Sequence, residues 1–194
     1  MEFISKYFTD LQKVSELIDH QKLEEMISEL LELKLNNGRL FIVGVGGSAG
    51  NASHAVNDFR KLANIESYSV TDNVSELTAR INDEGWESSF AEWLKSSRLN
   101  SNDAILVLSV GGGDLERKVS VNICKAIDFA KIKNCKVFAI VGRDGGYAAL
   151  NSDACIIIPT VSDEFITPFA ESFQAIIWHL FVSHPKLKSK STKW

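Results

Sequence analysis

His54 and Asp58 stand four residues apart in the stretch Gly44 to Arg60, which opens in glycines and continues at helical spacing. At i, i+4 on a helix the two side chains share a face, one turn apart. A nitrogen that exchanges protons near neutral pH then lies beside a carboxylate, a pairing suited to proton transfer or metal binding, although an ordinary helix ion pair has the same spacing. Gly46, Gly47 and Ser48 stand at the head of the same helix, just after the apolar run Leu40 to Val43. The first N–H groups of a helix lack intrahelical acceptors and carry partial positive charge, so this head can cradle an anion.

A second glycine loop, Ser109-Val110-Gly111-Gly112-Gly113-Asp114, follows another apolar run, Ala104 to Leu108. The first loop also fits a dinucleotide pattern, Gly44-Val45-Gly46-Gly47-Ser48-Ala49, for which Asp72 is the one candidate to hold a ribose, later than the usual offset. Two loops with hydroxyls and free N–H groups at one sheet edge suit a small phosphorylated molecule better. Glu171 and His179 share the last helical stretch. A carboxylate in a first turn is favoured by the dipole alone, and a histidine between Trp178 and Leu180 reads most simply as an uncharged core residue.

The elements that would position these residues follow from periodicity. Residues 3–18 and 21–35 predict two amphipathic helices, the second stopped by Asn36-Asn37-Gly38. Strands are predicted at 40–43, 67–70, 104–108, 137–141 and 154–158, and helices from the first glycine loop onward, from Asn73 to about Ile81, over 88–98, over 120–131 and from Thr167-Pro168 to Ser183, with Pro168 at the first helical position. Asn82 to Trp86 reads as turn chemistry, and Gly142-Arg143-Asp144-Gly145-Gly146 as a third glycine loop. Continuous apolar strands alternating with helices predict an α/β three-layer sandwich around a central parallel sheet, with two leading helices and with ligands at the carboxyl ends of the strands.

The 194 residues are enough for one buried core, so a single domain is expected: leading helices over 1–37, an α/β core over 38–184 and a basic tail over 185–194. That tail carries Lys186, Lys188, Lys190 and Lys193 and reads as solvated and frayed. A net charge of -4 gives no electrostatic reason to expect nucleic acid. No apolar run approaches the roughly 20 residues of a membrane span, so no membrane partner is expected. Cys124, Cys135 and Cys155 form no CxxC, and the N-terminus shows no leader pattern. These features predict reduced thiols in a cytoplasmic protein, with Cys124 and Cys135 in the core.

GVGGSAGNASHAVNDF, IND, LVLSVGGG, VGRDGG and AESFQAIIWH together resemble the sugar isomerase (SIS) domain family, and within it the sedoheptulose 7-phosphate, or phosphoheptose, isomerases. The resemblance spans nearly the whole chain and is most specific at the Gly-Gly-Ser-Ala loop with a histidine six residues after its serine. It implies a flavodoxin-like SIS fold, a cytoplasmic homotetramer with active sites at subunit interfaces, one bound zinc per subunit, and aldose–ketose isomerisation of a seven-carbon sugar phosphate. By position it implies His54, Asp58, Glu171 and His179 as metal ligands, with Asp58 and His179 catalytic. Substrate contacts are implied at Val45, Gly46, Gly47, Ser48, Asp58, Asn82, Asp83, Ser109, Val110, Gly111, Asp114 and Glu171.

Four features depart from the family pattern. Val45 replaces an asparagine, Asp58 a glutamate and Glu171 a glutamine, and the second loop has glycines where serine and threonine are usual. Glu171 and His179 are also eight residues apart, about 12 Å of helical rise, so sharing one metal requires a distorted helix, long reach or a neighbouring subunit, and Gln174 is an alternative ligand. The altered loop keeps two other readings open: a non-catalytic SIS-domain protein of the kind that binds a replication initiator, and an isomerase of a different sugar phosphate.

Overall fold

The computed structural model describes residues 1–191. Two helices lead, α1 (Glu2–Leu17) and α2 (His20–Leu35). Asp19 caps α2 by accepting from the backbone N–H groups of Gln21 and Lys22 at 2.9 and 3.2 Å. Its far end is a Schellman turn: Asn37 takes positive φ while the Gly38 N–H reaches back to the Leu33 carbonyl at 2.9 Å. The Asn-Asn-Gly stop read from the sequence therefore works as predicted.

Five strands follow, β1 (Leu40–Gly44), β2 (Ser67–Ser69), β3 (Ala104–Ser109), β4 (Lys136–Val141) and β5 (Ala154–Ile157), all parallel in the order β2-β1-β3-β4-β5. Within β1, Leu40 and Ile42 face one core while Phe41 and Val43 face the other. That two-sided burial is why the strands read as unbroken apolar runs. One face is covered by α1, α2, α3 (Gly47–Asp58) and the last helix, and the other by α5 (Ser89–Ser96), α6 (Val121–Ile132) and α7 (Gly146–Asn151). The order reverses between β1 and β3, so the crevice beyond their carboxyl ends is where a doubly wound sheet binds its ligand.

Several boundaries differ from the periodicity reading. Asn82, Asp83 and Glu84 are the last turn of α4 (Val74–Glu84), and only Gly85, at φ 86°, stops the helix, so the turn is shorter than its polar composition implied. A π-helical turn (Phe59–Ala63) continues α3, and α7 is too short to carry a periodic signal. The last helix, α8, spans Ile166–Ser183 behind a 3-10 turn at Asp163–Phe165. Pro168 is therefore the third helical residue rather than the first, still within the turn whose N–H groups lack partners, and Glu171 falls in the second turn.

Asp163–Ser183 is long and apolar enough to cross a membrane by length and composition, contrary to the expectation that no stretch is. Half of it is buried inside the fold, including Phe173, Ile177, Trp178 and Phe181, as in the core helix of an α/β protein. The segment after α8 is docked rather than frayed. Leu187 is fully buried, and the Ser189 N–H donates to the Leu62 carbonyl at 2.7 Å. Lys193 lies outside the described residues.

Cys124 and Cys135 are buried as expected, and Cys155 is half-buried. Burial pushes their thiols up to about 11, about 12 and about 11 respectively. Because the thiolate is the nucleophile, even a two-unit rise lowers the reactive fraction about 100-fold near pH 8. Titration with a disulfide reagent at pH 8 is expected to find all three thiols slow in the native protein and fast in urea; rapid labelling of the native protein would contradict this packing.

Candidate active site

α3 and α8 run side by side, and their contact assembles the chemistry. His54 and Asp58 come from α3 and His179 from α8. Asp58 Oδ2 lies 3.5 Å from His54 Nε2 and 3.3 Å from His179 Nε2. The three candidate ligand atoms all lie within 4.8 Å of one another, the one such group of His, Cys, Asp or Glu among the described residues. The imidazole rings meet edge to face at 5.3 Å. Asp58 is nearly buried while both histidines are exposed, so His179 is not the uncharged core residue its apolar neighbours suggested.

The carboxylate is held from two further directions. Trp178 Nε1 donates to Asp58 Oδ2 at 3.3 Å and Asn57 Nδ2 donates to Oδ1 at 2.9 Å. His179 Nδ1 sits 2.8 Å from the Ala175 carbonyl oxygen, which accepts only, so this nitrogen carries the proton. In the neutral ring Nε2 then presents a lone pair to a carboxylate oxygen. Two imidazoles and a carboxylate around one point are the donor set of a catalytic zinc site with an open position, so these residues fit a divalent metal.

Glu171 does not join them. On the uninterrupted α8 it is eight residues from His179, and its carboxyl group lies over the first turn of α3, where a Cβ on Gly47 would overlap it. Gln174 is fully buried and turned toward α3, its Oε1 accepting from Asn51 Nδ2 at 2.9 Å and its Nε2 unpartnered. The anion cradle read at Gly46 to Ser48 is thus already faced by a carboxylate.

A cleft of about 780 Å³ opens at the switch point, beyond the carboxyl ends of β1, β3 and β4. Of the residues expected to contact substrate, Val45, Ser48, Ser109, Val110, Gly111 and Asp114 line it. Gly46 and Gly47 lie exposed beside it at the head of α3. Asn82 and Asp83 do not line it. They are exposed on α4, bonded to each other at 2.7 Å. The structure adds Arg117 and Arg143 to the walls. To the His/Asp/His cluster it adds Trp178, whose role was invisible because an indole in an apolar helix reads as core. From Ser48 to His54 the helix rises about 9 Å, which is the separation along α3 between the cleft and the His/Asp/His cluster.

A flavodoxin-like parallel sheet with glycine loops at its switch point is the SIS architecture. Among solved structures, the phosphoheptose isomerase of Neisseria gonorrhoeae superposes with a TM-score of 0.80 at 22% identity, over 93% of this chain and 96% of that one. No family model matches the chain. In sequence it is 30% identical over 165 residues to the phosphoheptose isomerase of Helicobacter pylori, covering 82% of this chain and 80% of the relative. It is 28% identical to that of Nitratiruptor, over 87% of this chain and 93% of the relative. The chain belongs to the phosphoheptose isomerase family.

Proposed function

We propose that the protein converts sedoheptulose 7-phosphate to D-glycero-D-manno-heptose 7-phosphate through an enediol. The observation that carries this reading is Asp58 Oδ2 set between two imidazole nitrogens, one of them on His54, which lies about two helical turns along α3 from Ser48 at a cleft suited to a phosphate. A ketose phosphate lying along α3 puts its phosphate in the cleft and its carbonyl end at the cluster. Asp58 takes the proton from the carbon next to the carbonyl, the electron pair forms the enediol, and the proton returns to the former carbonyl carbon. His179, its ring oriented by the Ala175 carbonyl, exchanges the proton on the substrate's oxygen. Trp178 and Asn57 keep the carboxylate aimed. Ser109, Val110, Gly111 and Ser48 contact the phosphate end.

A zinc ion held by His54, Asp58 and His179 would supply Lewis-acid polarisation of the substrate oxygen; with Nε2 on the metal and Nδ1 on the Ala175 carbonyl, His179 would then act as a ligand and the proton on oxygen would pass to another group. Glu171 stands apart from those donors, over the first turn of α3. The working form is a cytoplasmic homotetramer of single-domain subunits. Support for association comes from the apolar side chains left uncovered on three helices: Phe3, Ile4 and Phe8 on α1, Val74 on α4, and Ile176 and Leu180 on α8. A partner subunit covering α4 would bring Asn82 and Asp83 to a neighbour's site, consistent with their distance from their own cleft.

The test is an isomerase assay with sedoheptulose 7-phosphate on metal-analysed protein, beside His179→Ala. Zinc-dependent turnover is expected, with kcat falling about 100- to 1,000-fold in the variant. Bound metal without turnover would move the reading to another ketose phosphate. With neither metal nor turnover, the catalytic reading fails.

A further inference from the structure

We propose that Arg143 is the cation that holds the substrate's phosphate, in place of the side-chain hydroxyls that the loop after β3 lacks. The proposal rests on the sugar-phosphate reading of the cleft and names the residue that confers it. Residues 110–113 are Val-Gly-Gly-Gly, and the one hydroxyl at the start of the loop, on Ser109, is buried and accepts from the Gly112 N–H at 3.0 Å. The N–H groups of Gly111 and Gly113 have no acceptor among the described residues, so the loop offers amides without a charge. The head of α3 is a poor source of one, because the Glu171 carboxyl group lies beside Gly47 and its charge opposes a phosphate there.

Arg143 lies where the charge is missing. The loop after β4 is fastened to the loop after β3: the Gly142 N–H donates to the Val110 carbonyl at 3.1 Å, Tyr147 N–H to Gly113 at 2.9 Å and Ala148 N–H to Gly112 at 3.0 Å. Those bonds fix Arg143 in the cleft wall, with its stem along Gly111, where an added Cβ would stand 3.7 Å from Arg143 Cδ. Both carboxylates lining the cleft are engaged. Asp114 accepts from the Arg117 N–H at 2.9 Å and lies 3.6 Å from Arg117 Nε, and Asp144 accepts from the Gly146 N–H at 3.1 Å. Arg143 has no ion-pair partner among the described residues, which leaves its fork of donors for a dianion. Asp114 is thus turned into its own loop, toward the Arg117 backbone and guanidinium.

The experiment titrates inorganic phosphate calorimetrically into wild type, Arg143→Gln and Arg143→Lys, and measures KM and kcat for sedoheptulose 7-phosphate on the same preparations. Arg143 is exposed, so both variants are expected to melt with the wild type. Arg143→Gln should weaken phosphate binding and raise KM at least about tenfold with kcat changed less than about threefold, and Arg143→Lys should recover part of both. Equal phosphate affinity in wild type and Arg143→Gln, no phosphate binding by the wild type, or an unchanged KM overturns the proposal. Phosphate binding that depends on Arg143 in a protein without turnover keeps Arg143 and removes the isomerase reading; turnover with KM indifferent to Arg143 does the reverse.

Discussion

Asp58→Asn is expected to fold and to lose about a thousandfold in kcat, the loss typical of removing a positioned general base. The substitution preserves shape but withdraws the one group that both imidazoles, the Trp178 indole and the Asn57 amide converge on. An amide in this position must turn its NH2 toward one of two donors, leaving a polar contact unmade in a nearly closed site, so stability should also fall by about 1–2 kcal/mol. Steady-state kinetics and metal content measured together separate the roles. Loss of both activity and metal makes the carboxylate a ligand, loss of activity alone makes it the base, and turnover within tenfold of wild type would remove Asp58 from the chemistry.

The second large effect is structural and separates Gly111 from Gly112 and Gly113, both of which take positive φ. At Gly112 φ is +70°, and an added Cβ would overlap the Gly145 carbonyl oxygen. Gly112→Ala is therefore expected to cost about 3 kcal/mol or more in urea unfolding, from the left-handed backbone and the collision together. Gly111→Ala meets only ordinary contact with Arg143 Cδ, without a positive φ, and should cost less than about 1 kcal/mol. Similar losses at both positions would mean that the two glycine loops are not zipped as described. A side chain at 112 has no room, so that glycine belongs to the packing of the loop after β3 against the loop after β4, whereas Gly111 is open to substitution.

Trp178 shows why part of the site was hidden. Within α8 it sits among Ile177, Phe181 and Val182, all buried, and nothing in such a pattern distinguishes an indole that fills space from one that also orients a carboxylate. Its N–H acquires that meaning only through Asp58, 120 positions earlier in the chain. Arg143 was hidden differently. Its loop was legible from its glycines, but the side chain's use depends on which neighbouring loop it lies along and which carboxylates are already paired.

What the amino-acid order determined by itself was local or periodic. The strand and helix alternation, the caps at Asp19 and Asn37, the glycine turns after β1 and β3, and the i, i+4 pairing of His54 with Asp58 all follow from interactions a few residues long. The tertiary structure alone decided which distant groups meet. It brought His179 to Asp58 and left Glu171 over Gly47, because a continuous α8 separates the two by about 12 Å and only one can face a given point on α3. It drew Leu187 and Ser189 into the fold, where the composition of the tail suggested solvent. Periodicity reports which face of an element is buried, whereas the partner on that face is set by how the layers stack.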